Sequence, residues 1–383
     1  MQEIDAHAFI TEQVRNYYKA NKVSVDSLEQ REFGFGNFET KIAFRHLAFK
    51  TPTLFNDYLV KNAPVYVSYS AAYYKYPDAR PIENKQRVGS ELIFDLDSTD
   101  LNLECQKTHD RKWVCENCFA TVRDETLKLI EDFLVPDFGI SEKEMHFNFS
   151  GNHGYHIHVK SKAVMDLSAY ARKEISNFIA GSGISFQEFF PTGGQRGMKL
   201  FGPKPTDPGW GGKIARNFLS RLERGVEALT ELGIDARTAK ALSSKRALIE
   251  LGIKNGNWDM VYIKDKANFW KSIVERQSVN QGDKIDTQVT GDVTRLIRMP
   301  DTIHGGSCLL AKSIGSKTEL SKYDPMKTCI VLPSAPMHVK AVQSKKLLMN
   351  GETIEIEKDK EYSLPTYAAA YLYLKDCAIL EKE

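Results

Sequence analysis

The feature that most constrains this chain is a pair of strictly alternating segments on either side of a glycine-bounded loop. His146-Phe-Asn-Phe-Ser150 and Tyr155-His-Ile-His-Val-Lys160 flank Gly151-Asn-His-Gly154. Side chains on a strand point alternately to opposite faces, so this pattern gives each segment one apolar and one polar face. Two such runs joined by a short glycine-bounded loop form a β-hairpin. Phe147, Phe149, Tyr155, Ile157 and Val159 share one face; His146, Asn148, Ser150, His156, His158 and Lys160 share the other. Three readings of the polar face stay open. Turn N–H groups, with Ser150 and His156, can cradle an anion; the histidines can be merely solvated; or His156 and His158 can share a metal.

A second constraint lies upstream. Glu91-Leu-Ile-Phe-Asp-Leu-Asp97 reads as a buried strand that ends in two carboxylates. Asp95 and Asp97, two positions apart, point to the same face at a separation of roughly 6–7 Å. Carboxylates held this way can share divalent cations, and paired cations about 3.5–4 Å apart serve in-line phosphoryl or nucleotidyl transfer. Two carboxylates leave such a pair under-coordinated, so a third is expected from a distant segment. Asp286 and Asp292 are available.

Composition narrows the class without naming a partner. The 383 residues are 42% hydrophobic and 10% aromatic, enough for a sizeable core. A net charge of +2 is too small to signal a polyanionic partner, so any nucleic-acid footprint must be local. No apolar run is long enough for a membrane span, and the N-terminus lacks a signal-peptide pattern. A cytoplasmic protein is expected.

The cysteines are uneven. Cys105-x3-His109-x5-Cys115-x2-Cys118 places three thiols and an imidazole within a short stretch, a set suited to structural Zn²⁺. Free thiols beside a solvated histidine are the alternative. Cys308, Cys329 and Cys377 are scattered and read as small buried hydrophobes.

Elsewhere, residues 4–20 have helical spacing, residues 65–74 and 90–97 read as strands, and residues 121–133 read as a helix stopped near Pro136. Between Pro191 and Gly212, eleven of twenty-two residues are Gly or Pro, marking a loop or linker. Residues 213–280 look helical. Strand character resumes near Ile285, and a last helix is expected over 365–380. Arg196, Lys199, Lys204, Lys213, Arg216, Arg221 and Arg224 form either a strand-contacting basic patch or a solvated helix face. Arg295-Leu-Ile-Arg298-Met-Pro-Asp-Thr-Ile-His304-Gly-Gly306 combines arginines suited to phosphate oxygens with a histidine before glycines.

In this order, the Asp95/Asp97 pair, the Cys/His cluster, Ser150-Gly-Asn-His-Gly-Tyr-His156 and the Arg295–Gly306 motif resemble the catalytic small subunit of archaeal and eukaryotic-type DNA primase. The resemblance implies an α+β fold. This is a primase-type mixed catalytic domain in two parts, 1–204 and 281–383, with a zinc knob at about 100–120 and a helical insertion over 205–280. It implies Asp95, Asp97 and Asp286 as catalytic ligands of Mg²⁺ or Mn²⁺. Ser150, Asn152, His153, His156, Arg298, His304, Glu32 and Arg45 would lie around the nucleotide, and Cys105, His109, Cys115 and Cys118 would hold Zn²⁺. It implies primer synthesis from NTPs or dNTPs on single-stranded DNA, a large partner subunit, and a cytoplasmic, nucleoid-associated location in a prokaryote. A gap-filling primase-polymerase and a non-catalytic zinc-bearing replication subunit are the competing readings.

Two departures from the family pattern stand out. His153 replaces the usual arginine before the second loop glycine, and Gly306 stands where a basic residue often follows His304-Gly305. A histidine is only partly charged near neutral pH, so the grip on a triphosphate is expected to weaken or to lean on Arg298.

Overall fold

The computed structural model describes residues 2–191, 199–260, 263, 265–282 and 285–382. It is a mixed α/β chain in two compact units. One gathers Met1–Leu127, Ser141–Lys173 and Asp286–Glu383; the other gathers Lys128–Ile140 and Glu174–Ile285.

The first unit is built on sheets. A five-stranded sheet runs in the spatial order Thr302–Ile303, Leu310–Ile314, Met145–Phe149, Gly154–Val159, Leu92–Asp97. The alternating hairpin forms its centre. Phe147 pairs with Ile157 and Phe149 with Tyr155 on the apolar side, while Asn148 pairs with His156 on the polar side. The strand Leu92–Asp97 adds antiparallel to the hairpin, with Asp95 opposite His156 and Asp97 opposite Gly154. Its apolar members Leu92, Ile93, Phe94 and Leu96 are all buried. A four-stranded sheet orders Leu296–Arg298, Tyr66–Ser70, Phe33–Gly36 and Phe44–Leu47. Phe33, Phe35, Phe49, Phe55 and Tyr58 pack as an aromatic cluster beside it, with ring centroids 4.5–6.3 Å apart.

The helix Ala6–Ala20 forms as its spacing requires, burying Ala6, Ile10, Val14 and Tyr18 and starting on the Asp5 side chain. The helix expected over 121–133 spans Glu116–Leu129 and loosens into a wider turn over Ile130–Leu134. Two other boundaries differ from expectation. Residues beyond Ile285 turn as a short helix, Thr287–Gly291, because the Asp286 carboxylate caps the amides of Gln288 and Val289. The last helix, Thr366–Leu374, ends early, and Ala378–Lys382 instead pairs as a strand with Pro336–Ala341.

The second unit is mainly helical. Its helix Gly209–Arg224 begins earlier than the glycine-rich sequence suggests, since a side chain on Gly212 would collide with the Asp207 carbonyl. That helix buries Trp210, Ile214, Phe218 and Leu222, each one turn from the last. Phe218, Trp258 and Trp270 meet edge-on or tilted, with centroids 4.7–5.8 Å apart, and centre this unit's core. At least three of the seven basic residues read as a strand-contacting patch or a solvated helix face have partners within the unit. Lys213 pairs with Asp137, Arg216 bonds to the Pro205 carbonyl, and Arg221 holds Glu231 at 2.8 Å. Arg196 lies outside the described residues.

Candidate active site

Where the Asp strand, the hairpin loop and the Leu296–Arg298 strand meet, a cavity of about 370 Å³ opens. Asp95, Asp97, Ser150, Asn152, His153, His156, Arg298, His304 and Arg45 all line it. Residues from five separate stretches of sequence thus converge. Lys41, Ser68, Asp292, Thr294 and Arg295 complete the wall.

The carboxylates are strained electrostatically. Asp95 Oδ1 and Asp97 Oδ1 are buried without a hydrogen-bond partner. Burial, then Asp97 and Asp286, raise the Asp95 pKa far above the ordinary carboxylate range, against the pull of Arg295. Burial and then Asp100 push Asp97 up to about 6, opposed by Lys41 and reinforced by Asp286. Asp286 does not line the cavity but is tied to it, its N–H donating to the Asp95 carbonyl at 3.1 Å. Orphaned carboxylate oxygens pushed together this way fit a divalent cation, whose charge would remove the repulsion. His156 Nε2 stands 3.4 Å from Asp95 Oδ1, and burial holds its imidazole neutral. His158, on the same strand face with its ring 6.1 Å from that of His156, is engaged instead by Glu91, its Nδ1 2.7 Å from Glu91 Oε2 inside a buried network. It does not join His156 in a metal site.

The hairpin loop is locked by its own serine. Ser150 Oγ accepts from the Gly154 N–H at 3.1 Å and the Asn152 N–H at 3.5 Å. Gly151, with φ +90°, turns the chain against His304. Burial lowers His153 to about 3, with Lys375 and Lys41 acting in the same direction, so this side chain carries no charge near neutral pH. His304 is also held neutral by burial; its Nδ1 accepts from the Gly306 N–H at 3.0 Å. Arg298 supplies the cation on this wall. It bonds to the Val67 carbonyl at 3.1 Å and stacks 4.7 Å over the Tyr66 ring. Burial draws its pKa down to about 10, which leaves it protonated.

Glu32 takes a different place from the other expected residues. It is fully buried behind the wall and accepts from Arg45 Nε at 2.8 Å and the His46 N–H at 3.1 Å, with Lys85 Nζ 3.2 Å away. It aims Arg45 into the cavity without reaching it. Lys41 and Ser68 carry no motif. Arg295, the first arginine of the Arg295–Gly306 motif, also lines the cavity.

The Cys/His cluster forms a separate centre. The ligand atoms of Cys105, His109, Cys115 and Cys118 all lie within 4.8 Å of one another. Cys118 Sγ stands 3.6 Å from the sulfurs of Cys105 and Cys115 and from His109 Nε2. Ligands on tetrahedral zinc, with bonds of about 2.0–2.3 Å, stand roughly 3.5–3.8 Å apart. His109 Nδ1 lies 2.9 Å from the Asp110 carbonyl, a bond that leaves Nε2 free to ligate. The four side chains fit structural zinc. Cys308, Cys329 and Cys377 are buried away from it as lone thiols.

Orphaned carboxylate oxygens beside arginines and neutral imidazoles suit a divalent cation and an anionic ligand. The family to which the chain belongs follows from sequence comparison. The model of the DNA primase small subunit family matches residues 94–315. The chain is 32% identical to the DNA primase small subunit PriS of Methanothrix thermoacetophila, over 98% of this chain and 99% of the relative. It is 33% identical to that of Methanosarcina barkeri, over 97% and 95%, and 30% identical to that of Thermoplasma acidophilum, over 82% of each. The chain belongs to the DNA primase small subunit family, the catalytic, primer-making nucleotidyltransferases of replication.

Proposed function

We propose that Asp95, Asp97 and Asp286 hold Mg²⁺ or Mn²⁺ and that the cavity receives a nucleoside triphosphate opposite a single-stranded DNA template. The observation that carries this is the pair of buried, partnerless oxygens on Asp95 and Asp97, with Asp286 bonded behind them. Bound divalent ions supply Lewis acidity to a primer 3′-hydroxyl and neutralise a leaving pyrophosphate. The protein's own groups do the positioning. Arg298 and Arg45 would face the phosphates as cations, and His304 Nε2–H would offer a neutral donor. Glu32 keeps Arg45 from swinging into solvent. His156, neutral beside Asp95, offers a hydrogen bond without competing for the metal's charge.

The small-subunit name of the relatives supports a large partner subunit, and zinc in the Cys/His cluster supports a structural knob in the same unit. No helix among the described residues is long and apolar enough to cross a membrane. We infer a cytoplasmic, nucleoid-associated location in a prokaryote from the chromosomal template that this reading requires. The test is nucleotide incorporation on single-stranded DNA with labelled NTPs and dNTPs, with and without a primer. Unprimed, metal-dependent synthesis is expected. Strict dependence on a primer points instead to gap filling, and no metal-dependent incorporation at all sinks the reading.

A further inference from the structure

A second cavity, about 780 Å³, adjoins the first and shares Lys41, Asn152 and His153 with it. Its wall adds Gly305, Gly306 and Lys375. Lys375 follows the helix Thr366–Leu374 directly and is only 2% exposed. Its Nζ donates to Asn152 Oδ1 at 2.7 Å, tying the C-terminal segment to the hairpin loop. Among the described residues no carboxylate forms an ion pair with it, although the charges of Asp110 and Asp376 bear on it from further off; the Tyr371 ring lies 5.3 Å away.

A buried ammonium that bonds one amide oxygen and has no carboxylate within ion-pair distance is costly unless an anion completes its shell. Desolvation accordingly pulls the Lys375 pKa down to about 7. An arriving anion would restore its charge. The loop itself offers no cation, since His153 and His304 are neutral and Gly306 has no side chain. His153 Nδ1 is also buried without a partner on the wall between the two cavities. Lys41, shared by both cavities, is exposed on that same wall. Its charge bears on Asp97, His153 and His304 together. A polyanion reaching from Asp97 past the loop would therefore meet Lys41, His153 and Lys375 in turn.

We propose that Lys375, with Lys41, binds the distal phosphates of the incoming nucleoside triphosphate, and that the second cavity is the space through which pyrophosphate departs. This rests on the nucleotidyl-transfer reading above. It adds to the grip of Arg298 and Arg45 a residue far from every motif, in the C-terminal segment of the chain.

The test uses the full chain with Mg²⁺ and compares Lys375→Met, Lys375→Arg and Lys41→Ala with the unchanged protein. Binding of nucleoside triphosphate and monophosphate is titrated directly, and pyrophosphate is added as an inhibitor of incorporation. Lys375→Met should weaken triphosphate binding and pyrophosphate inhibition by about tenfold, the loss of one charge-assisted contact, and leave monophosphate binding unchanged. Lys375→Arg should stay within about threefold of the unchanged protein, because it retains the charge. Lys41→Ala, at an exposed position where folding is not at stake, should show the same selectivity for phosphate number. Equal weakening of mono- and triphosphate overturns the proposal, because Lys375 then only props the loop through Asn152. No change in either ligand overturns it as well. Should the unchanged protein incorporate nothing, the nucleotidyl-transfer reading fails; should it incorporate normally while the variants show no phosphate selectivity, only this inference fails.

Discussion

The backbone N–H of Asp286 donates to the carbonyl of Asp95 at 3.1 Å. This one bond joins segments nearly two hundred residues apart and sets a third carboxylate against the first two. Asp286 Oδ1 is meanwhile held by the amides of Gln288 and Val289. The residue is thus fixed at both ends before any ion arrives. Asp97→Asn and Asp286→Asn should each lower metal-dependent incorporation by on the order of 10²–10³-fold or more, since each removes charge that an ion would meet. Template-directed assays at saturating nucleotide check this, with zinc content and circular dichroism showing that the fold survives.

The same crowding predicts a stability effect of opposite sign. The folded-state pKa of Asp97, about 6, lies above its unfolded value, so ionising it disfavours the native state. Stability is fully present below the unfolded pKa, near 4, and falls as the pH rises towards 6. Without divalent ions at pH 7, Asp97→Asn should therefore be more stable than the unchanged chain, by about 3 kcal/mol at most. Adding Mg²⁺ should stabilise the unchanged chain and not the variant. Urea unfolding in EDTA and in Mg²⁺ reads both effects, and an unstabilised variant would show that Asp97 is not under this repulsion.

Beneath the Asp strand, Glu91 gathers Arg31, the Tyr73 hydroxyl at 2.7 Å and His158 at 2.7 Å. Burial alone would raise its pKa. Arg31, then His158 and Lys160, outweigh burial and hold the carboxyl well below its ordinary range. For a depressed carboxylate the contribution is present above the unfolded pKa of about 4.3 and is lost as the pH falls below it. Glu91→Gln should cost about 3 kcal/mol at pH 7, because buried Arg31 is left with only the half-exposed Asp26, 3.5 Å away, as counter-charge. Its acid-unfolding curve should also be flatter below pH 4 or so than that of the unchanged protein. Chemical denaturation across pH supplies the comparison.

Metal removal gives a separable test. A zinc-selective chelator should release zinc and make residues 105–118 more protease-sensitive, because the four ligands cross-link that stretch to the start of the following helix. Cys118→Ser should do the same. Detection of released zinc by a colorimetric dye, followed by mapping of the cleavage sites, checks it. A purified chain with no zinc and fully reactive Cys105, Cys115 and Cys118 would overturn the assignment.

How much of this was legible in the sequence depended on the range of the cause. The hairpin and the Asp strand are written locally, in period-two alternation and in glycines, and the structure pairs them in the register that the alternation requires. The Cys/His cluster is equally local. Asp286 carries no local signature of its place, because a capping aspartate looks the same whether or not a distant strand receives its amide. Glu32 could be read as near the nucleotide but not as buried behind Arg45, since only tertiary packing separates a wall from its support. Lys41 sits in a loop and Lys375 just past a helix end, both outside any periodic pattern. The strand after Lys375 was hidden for a related reason: the Cys377-Ala378 pair breaks the alternation that would have announced it.

Gly154 offers the sharpest check on the site's construction. It faces Asp97 across the ladder, and a Cβ there would fall on the Leu96 carbonyl oxygen and within 2.6 Å of Asp97 Oδ1. Backbone on one side and a catalytic-site carboxylate on the other leave no flexible group to yield. Gly154→Ala should push the Asp strand away from the hairpin, costing about 1–3 kcal/mol of stability by overpacking and lowering incorporation together with it. Gly291 is the control, since a Cβ there meets nothing within 4 Å. Gly291→Ala, at the end of a short helix, should leave stability unchanged or raise it by up to about 1 kcal/mol. Thermal unfolding and incorporation assays on the two variants should thus diverge. If Gly154→Ala were as well tolerated as Gly291→Ala, the close approach of hairpin and Asp strand would be wrong, and with it the geometry that brings Asp97 to the nucleotide.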